Sequence, residues 1–477
     1  MSKVIGRLDR AFNPRSVAVV GDKMGLGYMW LRSLAHFQGK LYSVQIDPRE
    51  LPGIASLGVK NYLSLLDIPD EIDYVLIATP SKVTPKIIRD CIQKKVGAAS
   101  LFTAGFAESD TKNGIALQRT IADIARKGNL NLIGPNCMGI YNPKIGLRHS
   151  PDQTYGEGGN AGFISQSGTH VTFFTLVAPI NGIKVSKSVS YGNAAVLDSS
   201  DFLEYLGSDD ETRVIGIYIE GVNDGRRFRN CLKNVASRKP VLVWKGGETS
   251  EGDRATRSHT GTLAGSPQVW GALIKQCGAI KVDSLDDMLD VMQVLLNAKP
   301  TTGNRVGLAA MTGGQSVVIT DAFAKAGFEV PQLTERSYRE FASFFNTLGA
   351  SYRNPLDVSL NFPHLDRITK SLDILSRDEN IDTVVLEISV AFMKDLMWLD
   401  ASLLDRMIEE LAQHKSRSPK PFVTVVVPAH AESEAIEIKR KLSTHSIPHF
   451  PSFHRGANAL RRATSYYRRI IRNSTNY

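Results

Sequence analysis

The stretch Ser16-Val-Ala-Val-Val-Gly-Asp-Lys-Met-Gly-Leu-Gly27 decides the fold at the start of this 477-residue chain. Its small and apolar residues are typical of a buried strand, and the glycines after them are typical of a tight turn. We expect a helix from about Tyr28 onwards. A strand that runs through a glycine turn into a helix is the unit from which parallel α/β sheets are built.

The same arrangement recurs twice. The strand Gly162–Ile164 runs into the turn Ser165-Gln-Ser-Gly168, and the strand Val306–Ala310 runs into Thr312-Gly-Gly-Gln315. We expect a helix after each, through Phe174 and Ala324 respectively. Between these units, apolar runs alternate with helical patterns; the runs are Tyr74–Ala78, Val214–Ile219, Val241–Trp244, Thr383–Ile388 and Phe422–Val427. The sequence therefore predicts an α/β protein with three doubly wound parallel sheets covered by helices on both faces.

Two loops set the expected domain boundaries. They are the stretches Pro151–Gly159 and Ala298–Gly303, which are rich in glycine, proline and polar residues. The predicted domains are residues 1–150, 151–299 and 300–477.

Composition narrows the class of protein. Hydrophobic residues make up 42% and charged residues 22%, which excludes a disordered or collagen-like chain. We find no apolar stretch long enough for a membrane span and no secretory signal at the N-terminus. The four cysteines form no Cys-x-x-Cys pair, which disfavours a zinc site, and their spacing indicates reduced thiols and a cytoplasmic protein.

The net charge of +9 favours acidic partners without choosing among them. The segment from Arg455 to Arg472 contains six arginines and no acid. Its apolar residues recur at helical spacing, which predicts a closing amphipathic helix with a solvated basic face. We expect no binding of nucleic acid and no attachment to a membrane.

The first glycine turn, Gly-x-x-x-Gly-x-Gly, differs from the Gly-x-Gly-x-x-Gly of dinucleotide-binding folds. A helix start after such a turn can bind phosphate, although a plain structural turn stays open. The next strand, Leu41–Ile46, ends at Asp47, where an acid could hold the ribose of a nicotinamide cofactor. Arg49, two residues later, instead offers a cation to a phosphate.

Ser165–Gly168 and Thr312–Gln315 are two further candidate phosphate sites. Each offers hydroxyl groups and the N–H groups of a helix start, which have no partner within the helix. Two such helix ends that face one point would hold a dianion well. Either turn alone is also a common structural feature. The chain contains no P-loop motif.

His259 has the setting of a nucleophile. It lies among small residues and follows Arg254 and Arg257, which could attract phosphate, and neutral imidazole is a competent nucleophile towards phosphorus. Glu220 ends the apolar run Val214–Ile219 and could hydrogen-bond one imidazole nitrogen. The alternative for Glu220 is a solvated acid at the sheet edge.

Several motifs carry a family resemblance over roughly residues 10–470. They are Ser258-His-Thr-Gly-Thr-Leu-Ala-Gly265, Gly134-Pro-Asn-Cys-Met-Gly139, Ile164-Ser-Gln-Ser-Gly168, Tyr191-Gly-Asn193, Tyr218-Ile-Glu-Gly221 and Asn354-Pro-Leu-Asp357. At these residues the sequence resembles the nucleoside-diphosphate-forming acyl-CoA synthetases, such as the ADP-forming acetyl-CoA synthetase alpha subunit and succinyl-CoA synthetase. The resemblance implies a Rossmann-like CoA-binding domain followed by two flavodoxin-like ligase domains, the first of which carries the phosphohistidine loop.

The resemblance also implies a role for each matching residue. His259 would carry the phosphoryl group and Glu220 would orient it. The phosphate would be held by Ser165, Gln166, Ser167, Gly168, Thr312, Gly313, Gly314 and Gln315. Coenzyme A would be bound by Gly21, Lys23, Gly25, Gly27, Arg49, Thr79, Pro80 and Ser81 near its nucleotide half, and by Asn136 and Cys137 towards its thiol. Asn193 would border the acyl pocket, and no residue would bind a metal.

The implied reaction links a carboxylic acid to coenzyme A through acyl-phosphate and phosphohistidine intermediates. The sequence shows no ATP-grasp module, so the resemblance implies a separate beta-type subunit that carries ATP or ADP and Mg, within a hetero-oligomer or a homodimer. The first glycine turn is shorter than the family pattern and has Asp22 after its first glycine. Two alternatives are a non-catalytic CoA-binding regulatory protein and an NAD(P)-dependent dehydrogenase.

Overall fold

The computed structural model describes residues 3–260, 266–361, 364–400 and 402–474, without the side chains of residues 3–4, 257–260, 360, 395–399 and 473–474. The chain forms two compact units, Met1–Pro179 with Lys184–Leu285 and Ile180–Ile183 with Asp286–Tyr477. The first unit contains two sheets and the second contains one. The predicted α/β class with three sheets is therefore confirmed, whereas the boundaries at 150 and 299 stay predictions.

The first sheet has six parallel strands in the order β3-β2-β1-β4-β5-β6. Its strands are β1 (Ser16–Val20), β2 (Lys40–Val44), β3 (Lys60–Tyr62), β4 (Tyr74–Ile77), β5 (Ala98–Leu101) and β6 (Asn131–Ile133). Its helices are α1 (Lys3–Phe12), α2 (Met29–Ser33), α3 (Leu51–Ser56), α4 (Thr84–Gln93) and α5 (Lys112–Lys127). This order is that of a Rossmann sheet, in which ligands bind beyond the carboxyl ends of β1 and β4, where the order reverses.

The second sheet has the order β12-β11-β10-β8-β9-β7. Its strands are β7 (Gly139–Tyr141), β8 (Ala161–Ser165), β9 (Val185–Ser190), β10 (Val214–Ile219), β11 (Val241–Lys245) and β12 (Ile280–Val282). Its helices are α6 (Gly168–Ile180), α7 (Ser199–Ser208), α8 (Gly225–Ala236), α9 (Ser250–Thr260), α10 (Pro267–Cys277) and α11 (Leu285–Asn297). The five strands from β8 to β12 are parallel and follow the flavodoxin order, which reverses between β8 and β10.

Strand β7 is the exception to the predicted parallel sheets. It pairs antiparallel with β9, with Ile140 opposite Val189, and it adds an edge to the second sheet. Its three residues lie inside the predicted first domain, before the loop that precedes β8. The predicted first domain therefore contributes an edge strand to the second sheet.

The third sheet repeats the flavodoxin order, as β14-β13-β15-β16-β17, with all strands parallel. Its strands are β13 (Val306–Ala310), β14 (Leu356–Asp357), β15 (Thr383–Ser389), β16 (Phe422–Val427) and β17 (His449–Phe450). Its helices are α12 (Gly313–Lys325), α13 (Glu335–Ala342), α14 (Leu365–Arg377), α15 (Val390–Leu399), α16 (Leu403–Arg417), α17 (Glu432–Thr444) and α18 (Phe453–Ser474). The order reverses between β13 and β15.

In the first unit, one apolar cluster spans both sheets. Helix α1 contributes Leu8 and Phe12, and α7 contributes Phe202 and Leu206, all fully buried. The Phe12 ring stacks on Tyr205 with the ring centroids 4.4 Å apart. Burial of apolar side chains is the main favourable term for folding, so this shared cluster stabilises the packing of the two sheets within the first unit.

The predicted closing helix is α18, but its basic face is only partly solvated. Arg455 forms two hydrogen bonds to Asp290 on α11, of 2.6 and 2.9 Å, and Arg462 pairs with Asp287 at 2.9 Å. Arg455 and Arg462 therefore bind acids of their own unit. Within the described residues, we find no helix that is long and apolar enough to cross a membrane.

Candidate active site

The first glycine turn requires a glycine at its start. Gly21 has φ +89°, and a Cβ there would lie 2.6 Å from Cγ2 of Thr79. The turn continues as a 3-10 helix, Met24–Leu26, and α2 then runs for only five residues. The predicted strand and turn are present, and the following helix begins at Met29, close to the predicted start.

Two acidic side chains accept hydrogen bonds from backbone N–H groups of this turn. Buried Asp22 accepts hydrogen bonds from the N–H groups of Lys23 at 3.0 Å and Leu31 at 2.9 Å, and burial raises the pKa of its carboxyl. Glu50 accepts from the N–H of Met24 and the hydroxyl of Tyr28, both at 2.8 Å. In this conformation the turn offers a phosphate fewer free N–H groups than its glycine content predicts. The coenzyme A roles of Gly21, Lys23, Gly25 and Gly27 stay predictions.

Asp47 and Arg49 bind one another at the end of the second strand. The guanidinium hydrogen-bonds both carboxylate oxygens, with Nη2 of Arg49 2.6 Å from Oδ2, and this holds the pKa of Asp47 at about 2. The carboxylate that a nicotinamide ribose would need is therefore already engaged. Arg49 is 87% exposed, and exposed ion pairs contribute little, so a phosphate could replace Asp47 at low cost.

The segment Thr79-Pro80-Ser81 follows β4 and lies at the same edge as the first turn, because Gly21 contacts Thr79. The hydroxyl of Thr103, after β5, donates to the carbonyl of Thr79. The structure therefore brings together the residues predicted for the nucleotide half of coenzyme A at the point where the strand order reverses.

Asn136 and Cys137 follow β6. Asn136 adopts φ +58°, and its N–H donates to the carbonyl of Thr103 at 3.1 Å. The Cys137 thiol contacts the carbonyls of Leu101 and Ile133, each at 3.6 Å, and burial raises its pKa to about 12. Cys137 is therefore a packed thiol that stays protonated, which suits a wall residue and not a nucleophile.

A cavity of about 210 Å³ brings several predicted site residues together. Four segments of the first unit line it: the residue after β5, the segment after β6, the turn between β8 and α6, and the turn after β9. The lining residues are Phe102, Asn136, Cys137, Met138, Gln166, Ser167, Gly168, Thr169, Gly192 and Asn193. Residues predicted for the thiol end, the phosphate and the acyl pocket thus share one small space.

The Ser165–Gly168 turn is built by its own side chains. The Ser165 hydroxyl donates to the carbonyl of Ser167 at 2.6 Å and accepts from its N–H at 3.1 Å. The side-chain oxygen of Gln166 accepts from the N–H groups of Glu220 at 2.8 Å and Gly221 at 3.2 Å. Gln166 therefore anchors the end of β10, a role that the sequence did not predict.

The start of α6 faces this cavity through Ser167, Gly168 and Thr169. The first N–H groups of a helix have no partner within it, and the helix dipole adds positive potential there. A thirteen-residue helix that begins in a lined cavity can bind a phosphoryl group, as predicted for this turn.

Glu220 is 4% exposed and lies directly after β10. The Tyr218 hydroxyl donates to Oε1 of Glu220 at 3.2 Å, and burial raises the pKa of Tyr218. His170 packs against the rings of Tyr218 and Trp244, with centroid distances of 4.3 and 4.5 Å, which is the setting of a packing residue. Glu220 is therefore a buried acid and not a solvated one.

The described residues include the backbone of His259 but not its side chain. Its backbone lies in the last turn of α9, but its side chain and residues 261–265 lie outside the described residues. Its role as phosphoryl carrier stays a prediction. The helix itself was not predicted, since the glycines and small residues of this segment indicated a loop.

Asn193 is fixed by two residues of the first sheet's α5 region. Its side-chain amide donates to Glu108 and, at 2.9 Å, to Oε1 of Gln118. The preceding Gly192 has φ +51°, and a Cβ there would lie 2.2 Å from the carbonyl of Pro135. The Tyr-Gly-Asn motif therefore sets the close approach of two turns that line the cavity.

The Thr312–Gln315 turn lies in the second unit, and α12 begins at Gly313. Gly313 and Gly314 are exposed, and the Thr312 side chain makes no capping hydrogen bond within the described residues. A Cβ on Gly313 would lie 2.8 Å from Oδ2 of Asp357. This helix start is open to an anion, and its predicted role in phosphate binding stays a prediction.

Glu387 is a buried acid that the sequence reading missed. It lies in β15, is fully buried, and accepts from the N–H of Met311 at 2.7 Å through Oε2. Its Oε1 has no hydrogen-bond partner among the described residues, and burial raises its pKa to about 7. The sequence feature that could have indicated this buried acid is the single charged residue inside the apolar run Thr383–Ser389.

In the described part of the chain, we find no group of three His, Cys, Asp or Glu side chains that could hold a metal ion.

Two family models match the chain. The model described as a CoA binding domain matches residues 15–143, and the model described as a succinyl-CoA ligase like flavodoxin domain matches residues 158–295. These matches cover the first and second sheets and agree with the folds predicted from the motifs.

The alpha subunit of ADP-forming acetate–CoA ligase I from Pyrococcus furiosus is 33% identical over 460 residues, which cover 95% of this chain and 96% of that subunit. The chain belongs to the ADP-forming acetate–CoA ligase family. ADP-forming acetate–CoA ligase I of Archaeoglobus fulgidus is 36% identical over 393 residues, or 82% of this chain, but the match covers only 56% of that longer relative.

A solved structure of this ligase family agrees over nearly the whole chain. It is the dinucleotide forming acetyl-coenzyme A synthetase 1 of Ca. Korarchaeum cryptofilum, in complex with phosphate and ADP. The TM-score is 0.83 at 28% identity, and the match covers 98% of both chains. The resemblance inferred from the motifs is therefore confirmed.

Proposed function

We propose that this chain is the alpha-type subunit of an ADP-forming acyl-CoA synthetase, an acid–thiol ligase that joins a carboxylic acid to coenzyme A. The observation that supports this most is the cavity in which Asn136, Ser167 and Asn193 meet. It places a phosphate-binding helix start beside the residues expected at the coenzyme A thiol, and those two groups must meet in such a reaction.

The proposed reaction proceeds through two transfers of one phosphoryl group. A ring nitrogen of His259 takes the terminal phosphoryl group of ATP, and ADP leaves. A carboxylate oxygen of the acid then takes the phosphoryl group from His259. The coenzyme A thiol, after losing its proton, attacks the acyl carbon, and inorganic phosphate leaves with the bonding electrons.

Within this scheme Glu220 and the start of α6 have complementary roles. A buried carboxylate can accept a hydrogen bond from one imidazole N–H and leave the other nitrogen free to attack. The N–H groups at the start of α6 stabilise the charge on the phosphoryl oxygens, because fixed dipoles need no reorganisation during transfer. Gln166 holds Glu220 at the correct place by accepting from its backbone N–H.

Coenzyme A would extend across the first sheet. Its thiol would reach the cavity at Asn136 and Cys137, and its nucleotide half would lie near Thr79-Pro80-Ser81 and Arg49. The acyl group would lie near Asn193. The glycine turn would contribute less to coenzyme A binding than the family resemblance implies. Asp22 and Glu50 already accept hydrogen bonds from backbone N–H groups of this turn.

The nucleotide would be bound by a beta-type ATP-grasp subunit that carries ATP or ADP with Mg, in a hetero-oligomer. This is supported by the name of the Pyrococcus furiosus relative, a subunit alpha that this chain covers almost completely. We place the enzyme in the cytoplasm, where coenzyme A and ATP are available.

The test is to incubate the purified chain with radiolabelled phosphate and a series of acyl-CoAs. We expect acid-labile, alkali-stable label on the protein with at least one acyl-CoA, because reversal of the last two steps phosphorylates His259 without a nucleotide. The His259→Asn variant should lose the label, whereas His445→Asn, at an exposed position after α17, should keep it.

Label that persists in His259→Asn would overturn the assigned carrier. Coenzyme A binding without label for any acyl-CoA would instead favour the non-catalytic CoA-binding regulatory protein. The dehydrogenase alternative has little support, since the two family models that match the chain describe a CoA binding domain and a succinyl-CoA ligase like domain.

A further inference from the structure

A second, larger cavity lies at the opposite edge of the first sheet. Its volume is about 790 Å³. Its lining includes Arg32, Leu34, His36, Leu41, Leu57 and Arg148. Most of these residues lie just before β2 and β3 begin, at the amino ends of the strands. The Gly21 turn and Thr79 lie at the carboxyl ends, so this cavity is separate from the proposed coenzyme A site.

Arg148 is a buried cation held without a carboxylate. It is 4% exposed; its Nε donates to the carbonyl of Ser33 at 2.9 Å, and its Nη1 donates to the carbonyls of Pro151 at 2.8 Å and Gln153 at 2.9 Å. The acid that interacts electrostatically with Arg148 is Asp152, whose side chain is exposed. The other terminal nitrogen, Nη2, donates no hydrogen bond to the described residues, so a fixed donor remains for an anion.

Aromatic and basic groups surround this donor. The Tyr155 ring lies under the Arg148 guanidinium at 4.7 Å and stacks on His36 with the centroids 4.0 Å apart and the planes 7° from parallel. Arg32 and His36 are exposed at the rim. The lining includes these three basic residues and no Asp or Glu, so its charge favours an anion.

The rest of the lining is apolar. Leu34, Leu41, Leu57 and Val59 contribute side chains, and Leu57 is 37% exposed although it is aliphatic. The volume is in the range of about 300–1,000 Å³ that small-molecule sites usually have. A compact polyanion would leave this apolar surface unfilled, and a neutral apolar molecule would leave Nη2 of Arg148 without a partner.

We propose that this cavity is a binding site for an amphipathic carboxylate, with the carboxylate on Arg148 and Arg32 and the apolar body along the leucines. Carboxylates pair with guanidinium groups through charge-assisted hydrogen bonds. Burial of the apolar body stabilises the complex by about 25 cal/mol per Å² of apolar surface removed from water. The site does not depend on the reaction proposed above.

The test is calorimetric titration of the full chain with octanoate as the probe, in the absence and presence of saturating coenzyme A. We expect one saturable site whose affinity coenzyme A leaves unchanged. Butyrate, with too short a body, and octanol, with no charge, should each bind at least about tenfold more weakly, since tenfold corresponds to 1.4 kcal/mol. Failure of octanoate to saturate, or its competition with coenzyme A, would overturn the proposal.

Variants at the rim avoid the folding risk of removing buried Arg148. Arg32→Glu should weaken octanoate binding about tenfold by charge reversal, and Ala35→Trp should abolish it by filling the cavity. The matched control is Arg119→Glu, the same charge change at an exposed position of α5 outside the cavity. Equal binding by Ala35→Trp and the unaltered chain would refute the site, as would an equal loss in Arg119→Glu. A peptide with a free C-terminal carboxylate that binds more tightly than octanoate would instead indicate a protein ligand.

Discussion

The second and third sheets share one strand order but use their buried acids differently. In each, the turn after the first strand starts a helix, and a carboxyl group lies on the neighbouring strand across the point of order reversal. In the second sheet, Gln166 of the turn accepts hydrogen bonds from the end of β10, which leaves the Glu220 carboxyl for other contacts. In the third, the Glu387 carboxyl itself accepts from the turn at Met311.

In both sheets a side chain that accepts a backbone hydrogen bond forms a bridge between the turn and the neighbouring strand. That side chain lies on the turn in one sheet and on the strand in the other. An amide on the turn makes it in the second sheet, and an acid on the strand makes it in the third. Topology brings a carboxyl to a helix start in both places, but the residue that makes the bridge differs between the two sheets. This comparison predicts catalytic effects at Glu220 and structural effects at Glu387.

The largest effect is expected for Glu220→Gln. Loss of the carboxylate would remove the group proposed to orient the imidazole, so the rate of protein labelling by acyl-CoA and radiolabelled phosphate should fall about 10²- to 10⁴-fold. The fold should be kept, as judged by circular dichroism. Glu204→Gln on α7, whose side chain is 43% exposed, is the matched control and should label normally. A labelling rate within about threefold of the unaltered chain would remove Glu220 from the mechanism.

A smaller catalytic effect is expected for Gln166→Ala. The change leaves the N–H groups of Glu220 and Gly221 without their acceptor, at a cost of about 1–3 kcal/mol each. Because the end of β10 is then less well fixed, the labelling rate should fall about ten- to a hundredfold. Gln268→Ala, exposed at the start of α10, serves as the control. Unchanged labelling with unchanged stability would show that the bridge is dispensable.

Glu387→Gln should change stability and its pH dependence. The folded chain holds the Glu387 proton up to a pKa of about 7, whereas the unfolded chain releases it near its ordinary value of 4.5. The free energy of unfolding therefore contains a contribution that is present below pH 4.5 and is lost as the pH rises to 7. Glutamine stays neutral and can still accept from Met311, so the variant should become the more stable protein above pH 7, by roughly 3 kcal/mol.

This difference can be measured as the change in unfolding temperature between pH 4.5 and 8. Glu432→Gln, at an exposed position of α17, controls for the loss of an acid in the same unit. A constant difference between Glu387→Gln and the unaltered chain over this range would contradict a proton held by Glu387.

The smallest effect separates two adjacent glycines at the start of α12. A methyl group at Gly313 would lie 2.8 Å from Oδ2 of Asp357, whose other oxygen is held by Ser359, whereas a methyl at Gly314 meets nothing within 4 Å. Gly314→Ala should be neutral or stabilise the helix by up to about 1 kcal/mol. Gly313→Ala should be less stable than Gly314→Ala by about 1–2 kcal/mol in chemical denaturation. Equal stabilities would show that Asp357 moves away freely.

Much of the fold could be predicted because its central strands are buried on both faces. The strands Val214–Ile219, Val306–Ala310 and Phe422–Val427 have the bounds that their apolar runs predict. Strand β7 could not be predicted, since three residues are too few to show a period. The contact between the buried Asp22 carboxyl and the Leu31 N–H in α2 could not be predicted, because it depends on how the glycine turn folds back.

The site was predictable where family motifs lie in turns, and Asn136, Ser167 and Asn193 do meet. The bridges were not, because each depends on contacts between residues far apart in the chain. Gln166 and Glu220 are 54 residues apart, and Met311 and Glu387 are 76 apart. A single sequence shows the chemical type of such residues but not which backbone groups the strand order brings to them.

The burial of all four cysteines gives the protein a practical property. Cys91, Cys137, Cys231 and Cys277 are free and buried, and burial raises the pKa of each thiol. Because the thiolate is the form that maleimide dyes attack, the native cysteines should react slowly in the folded chain. A single cysteine introduced at the surface would then take up a fluorophore selectively, and one such position in each unit would suffice for energy-transfer measurements during turnover.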